Sequence, residues 1–262
     1  TENGMFMDKD SALIYSPSHF TWMDTNYPAG TPRKGYPVEI QALWFRALTF
    51  LAEISHNGQW TSLAARVKEN FIKYYWNEKL GFLSDCIHGD TPSLQHADDA
   101  LRCNQLFAVT LGIVDGDIAK SVLASCEELL IPGAIRSLAD RRVNYPLPVQ
   151  GNGDDVINDP HAPYWGNYEG DEDTRRKPAY HNGTAWTWPF PSYSEALFKI
   201  YGDKAKLHAR AILNSSRVLF DSGCLGQIPE VIDGNAPHRQ RGCDAQAWGV
   251  TEAYRVWKIL ED

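Results

Sequence analysis

The sequence has no basic stripe and no long apolar run. Its 262 residues carry a formal net charge of −8, which argues against nucleic acid and anionic membranes as partners. No apolar stretch approaches the roughly 18 residues that a membrane-spanning helix needs, and no signal peptide is recognisable. We therefore expect neither a nucleic-acid partner nor insertion into a membrane.

Closely spaced cysteines are also missing. The five cysteines are odd in number and none falls in a CxxC pair: Cys86, Cys103, Cys126, Cys224 and Cys243. Reduced thiols in a cytoplasmic compartment are a simpler interpretation than a disulfide framework. His19 and His181 have no partner ligands at a spacing familiar from metal sites, so the sequence predicts no bound metal.

Aromatic residues are abundant: the chain has nine Trp, twelve Tyr and ten Phe. The tryptophans occur beside Asn, His, Asp and Glu instead of within continuous apolar runs. Such a mixture suits a polar ligand that has flat apolar faces, and sugars fit this description.

Helical periodicity dominates the chain. Apolar spacing predicts seven helices and no strand of any length; the helices are expected at 38–54, 60–76, 98–111, 117–130, 186–201, 204–220 and 244–260. Deeply buried and amphipathic surface helices alternate, which is typical of antiparallel hairpins. The pattern is consistent with an all-α fold in which helical hairpins form a ring, an α/α toroid. The long polar segment at 144–177 is expected to be an irregular excursion, and such loops are usually functional or disordered.

Asp24 stands alone in an aromatic stretch, with no other charged residue between positions 11 and 32. A carboxyl group held against Phe20, Trp22 and Tyr27 should be partly desolvated, which favours its protonated form. A protonated carboxyl can donate a proton near neutral pH. The alternative is that Asp24 caps a turn or a helix, as most loop aspartates do.

Glu230 is a second acid in apolar surroundings, after Pro229 and between Ile228 and Val231. The alternative interpretation is a solvent-exposed loop glutamate. Glycoside hydrolysis needs two carboxyl groups that flank one bond, one protonated and the other ionised. Asp24 and Glu230 are therefore candidates for this pair.

Other polar side chains have two possible roles each. Arg102, Asn104 and Gln105 lie in a mostly apolar segment, where they could bind sugar hydroxyls, fix a carboxylate or satisfy helix ends. Arg33 could bind a hydroxyl or pair with Glu39. A tight turn is predicted at 181–183, and it would place polar groups in a cleft.

Six short motifs occur in an order that resembles a known family. They are TWMD at 21–24, PVEIQALW at 37–44, RCNQ at 102–105, YHNGTAW at 180–186, PE at 229–230 and QAW at 246–248. Together they resemble the C-terminal amylo-α-1,6-glucosidase domain of glycogen debranching enzymes, from about residue 13 to residue 257.

The resemblance implies an (α/α)6 toroid that hydrolyses α-1,6-linked glucose with inversion, with no metal and no organic cofactor. Asp24 matches the general acid and Glu230 the general base. The candidate substrate-binding residues are Trp22, Arg33, Glu39, Arg102, Gln105, Tyr180, His181, Asn182, Trp186, Trp188, Gln246 and Trp248.

One departure from the family concerns the number of helices, because a complete toroid has twelve and this chain offers about seven. We expect a single catalytic-type domain over 1–262 that is the C-terminal part of a longer protein, or one whose ring is closed by an oligomer or a second polypeptide. Two other functions stay open: a related toroid glucosidase that acts on trehalose or another small glucoside, and a non-catalytic carbohydrate-binding fragment.

Overall fold

The computed structural model describes residues 1–261, apart from the side chain of Asp154. Eight α-helices occur in these residues: α1 (Val38–Ser55), α2 (Gly58–Tyr75), α3 (Leu106–Thr110), α4 (Gly116–Cys126), α5 (Lys177–Tyr180), α6 (Pro191–Tyr201), α7 (Asp203–Asn214) and α8 (Ala247–Glu261). None of them is long and apolar enough to cross a membrane.

Eleven short strands accompany the helices in the described part of the chain: β1 (Phe6–Met7), β2 (Ile14–Tyr15), β3 (Gly35–Pro37), β4 (Trp76–Asn77), β5 (Phe82–Leu83), β6 (Cys86–His88), β7 (Leu130–Ile131), β8 (Ala134–Arg136), β9 (Ala185–Trp186), β10 (Val231–Ile232) and β11 (Gln240–Arg241). All the pairings are antiparallel. The largest sheet has five strands in the order β7-β8-β9-β10-β11.

The prediction of an all-α toroid is wrong. The structure is 44% helical with 11% strand, so the fold is mixed. An alternating apolar pattern becomes visible over about four to eight residues, whereas each strand here has only two or three. The strands were therefore not detectable by periodicity, and the five-stranded sheet had no signal in the sequence.

The helix predictions are confirmed where the periodic segment is long. Helices α1 and α2 match the expected ranges 38–54 and 60–76, and the Asn57 side chain caps α2 by accepting from the Gln59 amide at 2.9 Å. The predicted helix at 98–111 is largely wrong, since only a 3₁₀ turn at Cys103–Gln105 and the five-residue α3 form there. Trp186 lies in β9 and not in a helix, and α6 begins at Pro191, where proline suits the first turn.

The candidate site lies where the helical core meets the five-stranded sheet. Trp186, Trp188 and Val231 form a buried cluster on the sheet side. Trp22 and Phe107 contact this cluster, and both also pack against the main core formed by the helices. The two layers are therefore joined through aromatic side chains of the predicted motifs.

The first helix is less buried than its sequence indicated. Leu43, Phe50 and Ile54 of α1 are exposed, and so are several apolar side chains of α8. The buried side of α1 instead carries polar groups, since Glu39 and Gln41 are among its buried residues. A buried glutamate needs a partner, which α1 finds in the candidate site.

Candidate active site

Glu230 is held at the start of β10 by three hydrogen-bond donors. Its Oε1 accepts from the Tyr180 hydroxyl and from the Gln246 amide at 3.2 Å, and its Oε2 accepts from the backbone N–H of Cys243 at 3.1 Å. An ionised carboxylate is an acceptor only, so three donors on two oxygens suit that form. The side chain is half-buried, which leaves a part of it accessible to water.

The sheet fixes the backbone around Glu230. Its amide donates to the Cys243 carbonyl at 2.7 Å, and its carbonyl accepts from the Thr187 amide at 3.3 Å. Gly242 lies directly against the carboxylate with a positive φ of 65°, and a Cβ at this position would clash with Oε2. Glycine is therefore required there by the close approach as well as by the backbone conformation.

Tyr180 supplies one of the donors to Glu230 and packs against the aromatic cluster. Its ring stacks on Tyr168 with centroids 4.9 Å apart. Burial raises the pKa of the Tyr180 hydroxyl far above its ordinary value, and the hydrogen bond and charge of Glu230 and the charge of Asp24 raise it further. The hydroxyl therefore stays protonated as a donor, and Asp24 is close enough to act on it electrostatically.

Asp24 itself is exposed, so the prediction that aromatic side chains desolvate it is wrong. Phe20 and Tyr27 are exposed as well, and thus do not form an apolar enclosure. The alternative role as a cap is not observed either, because no donor within residues 1–261 reaches the Asp24 carboxylate. The group is free to meet a ligand from the solvent side.

The four tryptophans among the candidate substrate-binding residues form one continuous cluster. Trp22 meets His181, Trp186 and Trp188 edge to face, with centroid distances of 5.5, 5.1 and 5.1 Å. Trp188 stacks on Trp248 at 4.1 Å, and Trp248 is 40% exposed. The cluster thus offers an accessible flat ring close to Gln246 and Glu230, as the interpretation as a sugar site requires.

Arg33 forms a buried ion pair with Glu39. Two parallel bonds of 2.7 and 2.6 Å join them, and the Arg33 Nε donates to Asp85 at 2.6 Å. Burial alone would lower the pKa of Arg33, but Asp85 and Glu39 outweigh it, so the pKa is raised and the charge persists. Of the two predicted roles for Arg33, the structure contains the pairing with Glu39.

Arg102, Gln105 and Asn182 are also buried and bonded to protein groups. Arg102 donates to the His181 carbonyl and, at 2.8 Å, to Asn182 Oδ1. Gln105 donates to the Arg102 carbonyl at 3.1 Å. All five residues of this buried set, with Arg33 and Glu39, are at most 3% exposed. We therefore assign them the positioning of other groups and not contact with a substrate.

His181 lies in the predicted tight turn, but it is completely buried and does not face a cleft. Its Nδ1 lies 3.1 Å from the Thr31 hydroxyl, and Nε2 has no partner within the described residues. Burial lowers the pKa of His181 well below its ordinary value, and the nearby Arg102 and Arg33 lower it further, so the imidazole is neutral. No group of three acidic, His or Cys side chains in residues 1–261 could hold a metal ion.

Sequence reasoning missed three residues of the site. Asp85 joins Arg33, Arg102 and Asn104, Tyr168 supports Tyr180, and Cys243 supplies a backbone donor. Asp85 alone left a signal, a single acid inside the otherwise apolar stretch that contains β5 and β6. The role of Cys243 left no signal in the sequence, because Cys243 contributes only its backbone N–H.

A half-buried carboxylate with three donors lies beside the tryptophan cluster, and the comparisons with known proteins support the class of glycoside hydrolases. A family model described as amylo-alpha-1,6-glucosidase matches residues 1–255, and the chain belongs to this family. It is also similar to the glycogen debranching enzyme of Saccharomyces cerevisiae, with 25% identity over 241 residues. That match covers 73% of this chain and only 14% of the yeast protein.

Proposed function

We propose that this chain is an inverting α-1,6-glucosidase in which Asp24 is the general acid and Glu230 the general base. The observation that carries the proposal is the setting of Glu230, a half-buried carboxylate with three hydrogen-bond donors beside the tryptophan cluster. Trp22, two residues before Asp24, meets Trp186 edge to face, and Trp186 in turn contacts the Tyr180 ring, which supports the action of both carboxyl groups on one substrate.

In the proposed reaction, Glu230 takes a proton from a water molecule while the oxygen of that water attacks the anomeric carbon. The bond from that carbon to the leaving oxygen breaks, and the proton of Asp24 passes to the leaving oxygen. Glucose is released with inverted configuration, the β anomer from an α linkage. Inversion needs a separation of about 6.5–9.5 Å between the carboxyl groups, which leaves room for the water.

Because Asp24 is exposed, we infer that the bound substrate itself removes water from this carboxyl group. The free carboxyl group is solvated, and a sugar ring bound between Asp24 and the tryptophans would displace this water. Removal of water strengthens the electrostatic interactions within a site and supports proton transfer to the leaving oxygen. The general acid would thus acquire its environment when the glucan binds.

An α-1,6 branch of glycogen or a related glucan is the proposed substrate. The family description and the name of the yeast relative support this choice. The chain spans 14% of the length of that relative. The activity of the whole yeast protein is therefore only proposed for this chain. A small glucoside such as trehalose is the competing substrate, since the aromatic cluster would fit any glucosyl ring.

Hydrolysis of an isomaltosyl oligosaccharide, a limit dextrin and trehalose tests the proposal, with the anomer of the first-formed glucose read by NMR. We expect β-glucose from the first two substrates. Release of the α anomer would exclude inversion, and turnover of trehalose alone would favour the competing substrate. Asp24→Asn and Glu230→Gln should each lower kcat by at least about 10³-fold while glucan binding persists.

The exposed Asp221→Asn is the matched control for these variants and should retain wild-type turnover. The wild-type protein could bind glucan and yet hydrolyse none of the three glucosides. This result would contradict the proposed reaction and favour a carbohydrate-binding role.

A further inference from the structure

We propose that Asp85 is a positioning residue that fixes the loop of the general acid relative to the turn that supports the general base. The inference rests on the proposed function for its catalytic consequence. The acid loop is defined as residues 21–24 and the base-side turn as residues 180–182. Asp85 lies between β5 and β6, outside both segments, and is 2% exposed.

Two chains of hydrogen bonds lead from Asp85 to the acid loop. Its Oδ2 accepts from Arg33 Nε at 2.6 Å, and the same guanidinium donates to the Thr21 hydroxyl at 3.1 Å. Its Oδ1 accepts from the Asn104 amide at 2.8 Å, while Asn104 Oδ1 accepts from the Trp22 indole at 2.8 Å. Both oxygens of one carboxylate therefore hold the segment that ends in the general acid.

A third path leads to the base-side turn, and it begins with an ion pair and not with a hydrogen bond. Arg102 Nε lies 3.4 Å from Asp85 Oδ2, and Arg102 donates to Asn182 Oδ1 at 2.8 Å and to the neighbouring carbonyl of residue 181. Tyr180, the first residue of the same turn, donates to Glu230. Asp85 thus reaches the surroundings of both proposed catalytic groups through one side chain on each path.

The charge of Asp85 is needed because it separates two buried cations. Arg33 and Arg102 are each at most 3% exposed, and the presence of Arg33 disfavours the charged form of Arg102. Glu39 pairs with Arg33 but not with Arg102, so it does not replace Asp85. Loss of this one charge would leave Arg102 beside Arg33 without a paired carboxylate, and the paths that the two arginines anchor would shift.

Asp85→Asn keeps the shape of the side chain and removes its charge. A displaced acid loop would impair protonation of the leaving oxygen, whereas fluoride leaves without the help of an acid. We therefore expect kcat for an isomaltosyl substrate to fall at least about 10-fold further than kcat for α-glucosyl fluoride. A general loss of folded protein would lower both values equally, and this ratio separates the two causes.

Glu195→Gln is the matched control, because the Glu195 side chain is 15% exposed and pairs with Arg255 between α6 and α8, away from the hydrogen bonds of Asp85. It should lower both rates by one common factor. Asn104→Ala, which changes no charge, is a second variant that cuts only the path to Trp22. In this variant we expect kcat for the isomaltosyl substrate to fall relative to kcat for α-glucosyl fluoride, as in Asp85→Asn, but by a smaller factor.

A measurement without substrate separates this proposal from the proposed function. The indole N–H resonance of Trp22, assigned with Trp22→Phe, should move in Asp85→Asn and Asn104→Ala and stay in place in Glu195→Gln. A wild-type chain that is inactive on both substrates would contradict the proposed function but not the positioning role of Asp85. The Trp22 resonance would still test that role. The positioning role would be overturned by two results together in Asn104→Ala and in any folded Asp85→Asn. The Trp22 resonance would be unchanged, and the ratio of kcat for the isomaltosyl substrate to kcat for α-glucosyl fluoride would equal that of the wild type.

Discussion

Tyr180 donates its hydroxyl proton to the Oε1 atom of Glu230, across 50 residues of sequence. Burial and the adjacent carboxylates hold the pKa of this hydroxyl far above its ordinary value, so the hydroxyl is a donor at neutral pH. This donor and the backbone N–H of Cys243 bind different oxygens of the carboxylate and so orient it. Tyr180 is therefore a residue that positions the proposed base.

Tyr180→Phe should lower kcat by about 10- to 100-fold with little change in KM. The variant removes one hydrogen bond and keeps the ring that stacks on Tyr168, so the base loses its orientation while the binding surface remains. Steady-state kinetics on an isomaltosyl substrate measures the effect.

Tyr168→Phe is the control for this experiment, since it deletes the same atom from the neighbouring stacked ring, whose hydroxyl does not bond to Glu230. We expect wild-type kcat from it. An equal loss in both variants would show that the tyrosine pair serves packing and not the orientation of Glu230.

Some elements of the fold were predictable because they are long. Helices α1 and α2 each repeat their apolar spacing over 18 residues, and the periodicity marked both. The strand β9 has two residues, and the sheet that carries it is assembled from segments as distant as Leu130 and Arg241. Strand pairing between distant segments is decided by tertiary contacts that no local pattern encodes. The sheet that orients Glu230 was therefore invisible in the sequence.

The site was predictable in its residues but not in their roles. Glu230, Tyr180 and Gln246 converge as the motifs indicated. The burial of Arg33 and Arg102 could not be predicted, because it depends on Asp85, a partner 52 residues from Arg33 and 17 from Arg102. A polar side chain in a motif can meet a ligand or a buried partner, and only the folded contacts distinguish the two.

Trp248→Ala should raise KM for the glucan substrate about 10-fold with a smaller change in kcat. The exposed ring of Trp248 stacks on Trp188, and in the proposed function it offers a flat face to a sugar in both the ground state and the transition state. Trp257→Ala is the matched control, because Trp257 lies on the same helix α8 and is 42% exposed, compared with 40% for Trp248. A rise of KM in the control alone would contradict the role of Trp248.

The buried imidazole of His181 links folding stability to pH. The pKa of His181 is lowered in the folded protein by burial and by the positive charges of Arg102 and Arg33. The unfolded chain takes up a proton on this residue below about pH 6.5, and the folded chain does not. Stability from this group is therefore complete above that pH and decreases as the pH falls.

His181→Gln should make the protein less sensitive to acid. The wild-type free energy of unfolding should decrease between pH 7 and pH 5 by about 2 kcal/mol more than that of the variant, because the unfolded variant has no imidazole to protonate. Urea denaturation at the two pH values measures this difference. His208→Gln on the exposed surface of α7 is the control and should keep the wild-type pH dependence. Equal acid sensitivity in wild type and His181→Gln would mean that the folded protein accommodates a charged imidazole between the two arginines.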